Sequence, residues 1–498
     1  MRNKKLEWNT VSALVYQVTA VLCGFILPKA ILDCYGSEVN GLVNSITQFV
    51  QMISFLELGV GAVIQSALYK PLADRDDQKI SEVVSSGHNF FRKLAGILVA
   101  YIAILLVVFP TVVDKTFGFA YDATLILSMS ISNFAQYYFG IVDGLLLKSD
   151  QKGYIVSVID TVTLIINTLL CYFLVYSGFS IQVVKLTTAG LFLLRPVLVR
   201  LYIRRHYRLD RKCRYTKDPI EQKWHGVAQH ISSIVLDVTG TVVLSLFSTM
   251  ANVSVYSVYL MVVSSIKNLI LSCFGGISPL LGELWAKQER EELDRYFGLT
   301  EWIIHGLVLF VWCCTCKLIV PFVLVYTKDV TDVNYNVPVF AILFCLGNAL
   351  YCLRLPFNTM ILAAGHYKST QGIYIFGALI NLVVTVLAVN CWGLEGVAVG
   401  IIVTMLYQVI RMGSYVIRKL QIHSFGRSAK QLLVDGIAIA GFLLLSSVIR
   451  ETEVSWFGWI ILAVKHALVA LLCIFVTNYV FYRQYVMQIA SRIFRKIG

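Results

Sequence analysis

The feature that most constrains this chain is repeated hydrophobic length. Apolar segments recur near residues 8–32, 39–66, 94–113, 121–147, 153–177, 180–203, 225–248, 253–282, 298–325, 337–363, 371–391, 394–417, 431–449 and 457–482. At about 1.5 Å per residue, each of these roughly fourteen segments crosses a hydrocarbon core of about 30 Å as a helix. Helices are required because the bilayer interior has no water to satisfy backbone N–H and C=O groups. The 498 residues are 57% hydrophobic and 14% charged, and the mean hydropathy is +0.73. That composition excludes a soluble protein of this length. The first segment runs on into a second without a small-residue cleavage site, so it reads as a transmembrane helix and not as a removable signal.

Charge then orients the bundle. The formal net charge is +13, but the basic residues gather in alternate short loops and not on one continuous surface, which argues for topology and against nucleic acid. With the amino terminus inside, Lys70, Arg75, Lys79, Arg92 and Lys93 fall inside, as do Arg204 through Lys217, Arg418, Lys419, Arg427, Lys430 and the tail. The opposite loops hold little beyond Lys115, Lys328 and Arg450. The expectation is that both termini are cytoplasmic, with the basic, partly apolar tail lying on the inner leaflet. Most of the 12 cysteines lie in apolar segments, where a thiol is a small hydrophobe. Cys313, Cys314 and Cys316 have no accompanying His or carboxylate and diverge around a helix, so no metal is expected. There is no P-loop, metal-ligand spacing or nucleophile elbow, and no cofactor is expected.

The basic stretch 204–224 divides the chain into two similar halves. At an offset of about 216 positions, Trp8 falls on Trp224, Gly59 on Gly275, Leu68 on Leu284, Lys152 on Lys368 and Arg195 on Arg411. The expected organisation is an N-lobe over 1–203, a cytoplasmic linker over 204–224, a C-lobe over 225–417, two further helices over 418–482 and a tail over 483–498. Parallel repeats of this kind are a common transporter plan, with substrate held between the halves.

The stretch from Tyr35 to Ala73 is the most distinctive. It reads Tyr35-Gly36-Ser37-Glu38-Val39-Asn40-Gly41-Leu42, then an apolar run, then Leu56-Glu57-Leu58-Gly59-Val60-Gly61 and finally Ala67-Leu68-Tyr69-Lys70-Pro71-Leu72-Ala73. Read as one helix, it collects Asn44, Gln48, Gln51, Ser54, Gly61 and Gln65 on one side and directs Glu57 elsewhere, toward a helix–helix or interfacial contact. These residues, within the region Asn9 to Lys93, resemble the Wzx-type lipid-linked oligosaccharide flippases of the MOP superfamily, which also contains MATE drug exporters and lipid II flippases. The resemblance implies an all-α, two-lobe bundle of parallel six-helix repeats plus two C-terminal helices, in a bacterial inner membrane. It also implies an isoprenoid-diphosphate-linked oligosaccharide as substrate, in contact with membrane lipids, with polysaccharide polymerase and chain-length machinery as further partners. The arginine motif that related flippases carry in the first helix is absent, and Lys29, after Pro28, stands nearest to that place.

Ionisable groups at membrane depth cost about 2.5–3.5 kcal/mol each, so each needs a partner, a watery cavity or a task. Lys267 lies deep beside Ser257, Ser264, Asn268, Ser272 and Gly275, and Arg354 lies deep just before Pro356, which can kink its helix. With Arg195 and Arg411, these would line a cationic chamber suited to a diphosphate, Arg pairing bidentately and Lys acting as a point charge. The alternative is that they neutralise acids on adjacent helices and pin the bundle. Lys29, Lys185 and Lys465 lie near enough to helix ends to snorkel. Among the acids, Asp237 shares a face with His230, Ser233 and Thr241, while Asp160 lies with Gly153, Thr163 and Asn167, and Asp143 follows Asn133, Gln136 and Gly140. Asp237, with His230 as relay, is the leading candidate for proton coupling, the other reading being a simple ion pair.

Three functions fit unequally. A flippase uses the cations for diphosphate, the polar stripes for sugar hydroxyls and the inter-lobe gap for the lipid tail. A MATE-like exporter of drugs or solutes shares the fold but needs an acidic, aromatic cavity. A membrane-embedded polysaccharide polymerase or glycosyltransferase needs positioned catalytic groups on substantial loops, and the outward loops here are short. The expectation is therefore a non-enzyme.

Overall fold

A computed structural model describes residues 2–57, 59–114, 116–210, 213, 227–273, 277–449 and 454–487. The chain is all-α, with no strand among the described residues. It divides into two compact units, residues 1–257 and 258–498. The first contains α1 (Arg2–Gln51), α2 (Val60–Asp74), α3 (Asp77–Val108), α4 (Phe119–Ala135), α5 (Ile141–Ser149), α6 (Gly153–Tyr176), α7 (Ile181–His206), α8 (Val227–Phe247) and the start of α9 (Met250–Cys273). The second continues with α10 (Ile277–Ala286), α11 (Arg290–Tyr326), α12 (Pro338–Leu353), α13 (Leu355–Ala363), α14 (Tyr367–Trp392), α15 (Leu394–Tyr415), α16 (Phe425–Ser446) and α17 (Trp456–Phe481).

Among the described residues, thirteen helices are long and apolar enough to span a membrane. The first of them joins two helices across a kink at Gly36, whose φ of 82° and ψ of 178° suit a residue without a side chain. Dividing it there recovers the segments near 8–32 and 39–66 that the hydropathy separates. The second of these is not one helix, however. The α-helix ends at Gln51, a 3₁₀ turn covers Met52–Glu57, and α2 starts after Gly59, which sits at φ +73°. Gly61 and Gln65 therefore lie on a different element from Gln48 and Gln51, and the single polar stripe expected from 44 to 65 does not form.

Other spans are also composite. The segment near 121–147 is α4 and α5 joined by a π turn at Gln136–Gly140. The segment near 337–363 is α12 and α13, which meet at Arg354, and Pro356 sits in the first turn of α13, where a missing N–H costs nothing. Gly275, Lys115, Arg450, most of the linker 204–224 and the tail from 488 onward lie outside the described residues.

Side chains stitch the first unit together. Asn9 on α1 accepts from the Tyr154 N–H at 2.7 Å and donates to the Gln151 carbonyl at 2.9 Å, tying α1 to the start of α6. Asn40 donates to Ser254 Oγ at 2.8 Å, and Ser45 to Ser245 Oγ at 2.6 Å. His88 on α3 lies 3.2 Å from Asp143 on α5, and both are buried. In the second unit, Leu281, Phe297, Phe357, Met360 and Met412 form an apolar core under α10, α11, α13 and α15. Along α6 and α17 the large residues Leu169, Phe173, Leu468 and Val480 face outward, as lipid contact requires.

Candidate functional site

In the first unit a cavity of about 660 Å³ is walled by the 3₁₀ turn, the π turn, α5, α6 and α7. Its lining alternates apolar residues with Gln51, Ser54, Glu57, Asn133, Gln136, Tyr137, Lys148, Asp160 and Arg195. Glu57 belongs to this wall, against the expectation that it points elsewhere. The reason is local geometry, since residues three apart eclipse in a 3₁₀ turn and so Glu57 stands directly beyond Ser54. The Tyr137 hydroxyl donates to the Glu57 carboxylate. The π turn that presents Gln136 and Tyr137 is closed by Gly140, where a Cβ would meet Gln136 Oε1 at 2.5 Å and Pro196 Cβ at 3.0 Å.

Arg195 crosses this cavity wall from α7 to α6. Its Nε donates to Thr163 Oγ1 at 2.8 Å and lies 3.5 Å from Asp160 Oδ1, while Nη2 donates to the Asp160 carbonyl at 3.3 Å. The guanidinium also sits 3.8 Å from the centre of the Phe192 ring. The cavity thus holds two acids, Glu57 and Asp160, and two cations, Lys148 and Arg195, with aromatic rings between them. At the end of α7, Tyr207 donates to Asp150, and Lys152 lies 2.7 Å from the same carboxylate. Burial, and then the Asp150 carboxylate, raise the Tyr207 phenol far above the ordinary tyrosine range.

The second unit holds a different arrangement. The Arg354 guanidinium lies 4.5 Å, and the Lys267 ammonium 4.9 Å, from the centre of one ring, that of Tyr351. Arg354 is only 6% exposed. Its Nη1 donates to Gln408 Oε1 on α15, its Nε has no hydrogen-bond partner, and no acid pairs with it among the described residues. The Gln408 amide nitrogen is also buried without a partner. Close packing sets this up, because a Cβ at Gly377 would meet Gln408 Nε2 at 2.3 Å. A buried guanidinium with unused donor capacity and a second cation therefore lie against the same ring.

No protein-family model matches the sequence, and no curated protein does. Solved structures do match. An outward-facing multidrug resistance MATE transporter of the MOP superfamily aligns with a TM-score of 0.55 at 15% identity, over 84% of this chain and 97% of that one. The lipid II flippase MurJ, in an inward closed conformation, aligns with a TM-score of 0.70 at 13% identity, over 96% of this chain and 99% of MurJ. The chain shares the fold of these structures. A eukaryotic MATE transporter aligns at a TM-score of 0.54 and 12% identity, over 87% and 98% of the two chains. The chain is a multi-pass membrane protein whose solved structural neighbours are a flippase and transporters.

Within this fold the residues singled out from sequence are distributed as follows. Lys267 and Arg354 meet on Tyr351, and Arg195 and Asp160 pair on the first unit's cavity. Arg411 lies on the exposed side of α15, beside the equally exposed Ile410. Lys29 pairs with Asp33 at 2.6 Å, one turn along α1. The Asn268 side chain is exposed, and its carbonyl accepts from Ser272 at 2.8 Å. His230 lies 3.1 Å from the Ser54 carbonyl at the cavity turn, and Asp237 is exposed two turns further along α8. Asp143 is held by His88 and does not line the cavity. Sequence reasoning named Glu57 but directed it away from the polar stripe, and it missed Tyr137 and Gln408. It missed Tyr351 too, although the position three residues before Arg354, hence on the same helical side, was the signal that could have found it.

Proposed function

We propose that the chain is a flippase that moves an isoprenoid-diphosphate-linked oligosaccharide across the bacterial inner membrane, by alternating access of two lobes, for surface polysaccharide assembly. The observation that carries this reading is Arg354, buried with no acid beside it among the described residues and sharing Tyr351 with Lys267. Retaining a cation at that depth costs several kcal/mol without a counter-charge, and a diphosphate supplies one during the cycle. The amide and hydroxyl groups of Gln51, Ser54, Asn133 and Gln136 suit sugar hydroxyls, and the outward apolar faces suit a polyprenyl tail. MurJ, a lipid II flippase, has the same fold, which agrees with a lipid-linked substrate.

In this reading both termini are cytoplasmic, and polymerase and chain-length proteins receive the product. Arg195 and Arg411 on the sixth helix of each lobe, with Lys29 and Asn268, complete the substrate path. Asp237 and His230, with Asp160, couple the cycle to protons. The deciding experiment uses a strain lacking the protein. The expected result is loss of surface polymer, with lipid-linked repeat units trapped facing the cytoplasm and released by wild type but not by Arg354→Ala. Normal surface glycan with unchanged lipid intermediates would reject the flippase.

A second reading, a MATE-like exporter of cationic solutes, is favoured by one observation. The first unit's cavity combines Glu57 and Asp160 with Tyr137 and Phe192, the acidic and aromatic lining such a substrate needs. Drug sensitivity of the deletion strain, reversed by wild type but not by Asp160→Asn, would support it over the flippase.

A further inference from the structure

A second cavity, of about 490 Å³, lies where the start of α11, the start of α16 and the end of α17 come together. Its basic lining comes from Arg427 and Lys430 on α16, His423 just before it, and Arg483 just after α17. One acid, Glu301, lines it, and that acid is already engaged within the wall. Ser428 Oγ donates to Glu301 at 3.0 Å, and His423 Nε2 lies 2.8 Å from its other oxygen. Arg427 is held by Asp294. Lys430 and Arg483 have no acidic partner among the described residues. Lys430 donates to the Phe481 carbonyl at 3.3 Å and sits 4.7 Å over the Tyr482 ring, and Arg483 sits 5.7 Å over Tyr479. His423 is 2% exposed, lines the cavity and leaves Nδ1 without a hydrogen-bond partner.

The surroundings place this cavity at the edge of the apolar belt. Val480 and Phe481 are exposed on one side. Trp302, anchored by its indole N–H to Asn478 Oδ1 at 2.6 Å, packs 5.4 Å from Tyr485, which stacks on Tyr482. Amphipathic rings of this kind sit at headgroup level, and basic pockets between transmembrane helices take anionic headgroups.

We propose that this cavity binds a phosphate group, with the phosphodiester of an anionic membrane lipid and free phosphate as the two sources of that chemistry. Lys430 and Arg483 supply the charge and Arg427 a directed fork. The site is separate from the Arg354 group, and its test involves no transport.

The full-length protein in phosphatidylcholine nanodiscs is titrated with phosphatidylglycerol, and retained lipid is counted by native mass spectrometry. Phosphatidylglycerol is expected to be retained over phosphatidylcholine, and K430Q/R483Q to weaken retention roughly 30-fold, while Lys430→Arg preserves it. Should the double variant fail to fold, Lys430→Gln alone, at an exposed position, is expected to lose roughly fivefold. If inorganic phosphate raises the melting temperature of wild type but not of Lys430→Gln, without selective retention of phosphatidylglycerol, free phosphate is the source. Equal retention of the two lipids with no effect of phosphate overturns the proposal. So does retention unchanged in both Lys430→Gln and the double variant.

Discussion

At the scale of single residues, buried charge separates stability from function. Arg354 donates to Gln408 but meets no carboxylate among the described residues, so removing both partners takes away a desolvated cation without orphaning an acid. Arg354→Met combined with Gln408→Leu is expected to leave stability unchanged or raise it by roughly 1–4 kcal/mol, while surface-polymer complementation falls to background. A loss of several kcal/mol in thermal or denaturant unfolding would mean that Arg354 has a structural counter-ion. His88 and Asp143 present the opposite case, because each is the other's buried partner at 3.2 Å. His88→Ala removes one partner of a buried carboxylate and is expected to cost about 1–3 kcal/mol, read as a lower unfolding midpoint. The sequence placed Asp143 on a polar stripe with Asn133, Gln136 and Gly140, but nothing in a periodicity could show that His88, 55 positions earlier in the chain, would cover it.

At the scale of elements, helix spacing is set by missing side chains. On α15, a Cβ at Gly400 would meet Thr385 Oγ1 of α14 at 2.0 Å, and one at Gly396 would meet the Ala388 carbonyl carbon at 2.3 Å. Small residues at such positions let helices approach, which is how apolar spans associate when lipid removes the usual hydrophobic incentive. Gly400→Ala is expected to destabilise by about 1–3 kcal/mol, and by distinctly less in a Thr385→Ala background. Equal costs in both backgrounds would show that the contact does not set the spacing. The breaks inside spans matter as much as the packing. The 3₁₀ turn at Met52–Glu57 and the π turn at Gln136–Gly140 both open onto the cavity and aim polar groups into it. A reading at about 100° per residue assumes an unbroken α-helix, and it therefore misdirected Glu57.

At the scale of the whole molecule, topology and coupling are the testable properties. The basic loops predict that position 208 faces the cytoplasm and position 331 the opposite side. In a background without reactive cysteines, Thr331→Cys is expected to react with an impermeant maleimide in intact cells, and Arg208→Cys only after permeabilisation. Reversed labelling would invert the proposed transport direction. If Asp237 couples the cycle to protons, Asp237→Asn should abolish the dependence of transport on a pH gradient while leaving substrate binding in place. Transport and pH dependence indistinguishable from wild type would return Asp237 to a structural role.

The amino-acid sequence by itself determined that the chain is a helical, multi-pass membrane protein, because span length and the absence of water in the bilayer leave few other solutions, while the two-lobe fold came from its resemblance to a family and from the solved structures it matches. It also displayed the unusual deep charges, since each stands out against an apolar run. Which charges meet was decided only by tertiary structure. Arg195 finds Asp160 across two helices, Lys267 and Arg354 converge on Tyr351, and Glu57 turns into the cavity through a local change of helical pitch. Those pairings depend on helix rotation and contact distance, and hydropathy is indifferent to both.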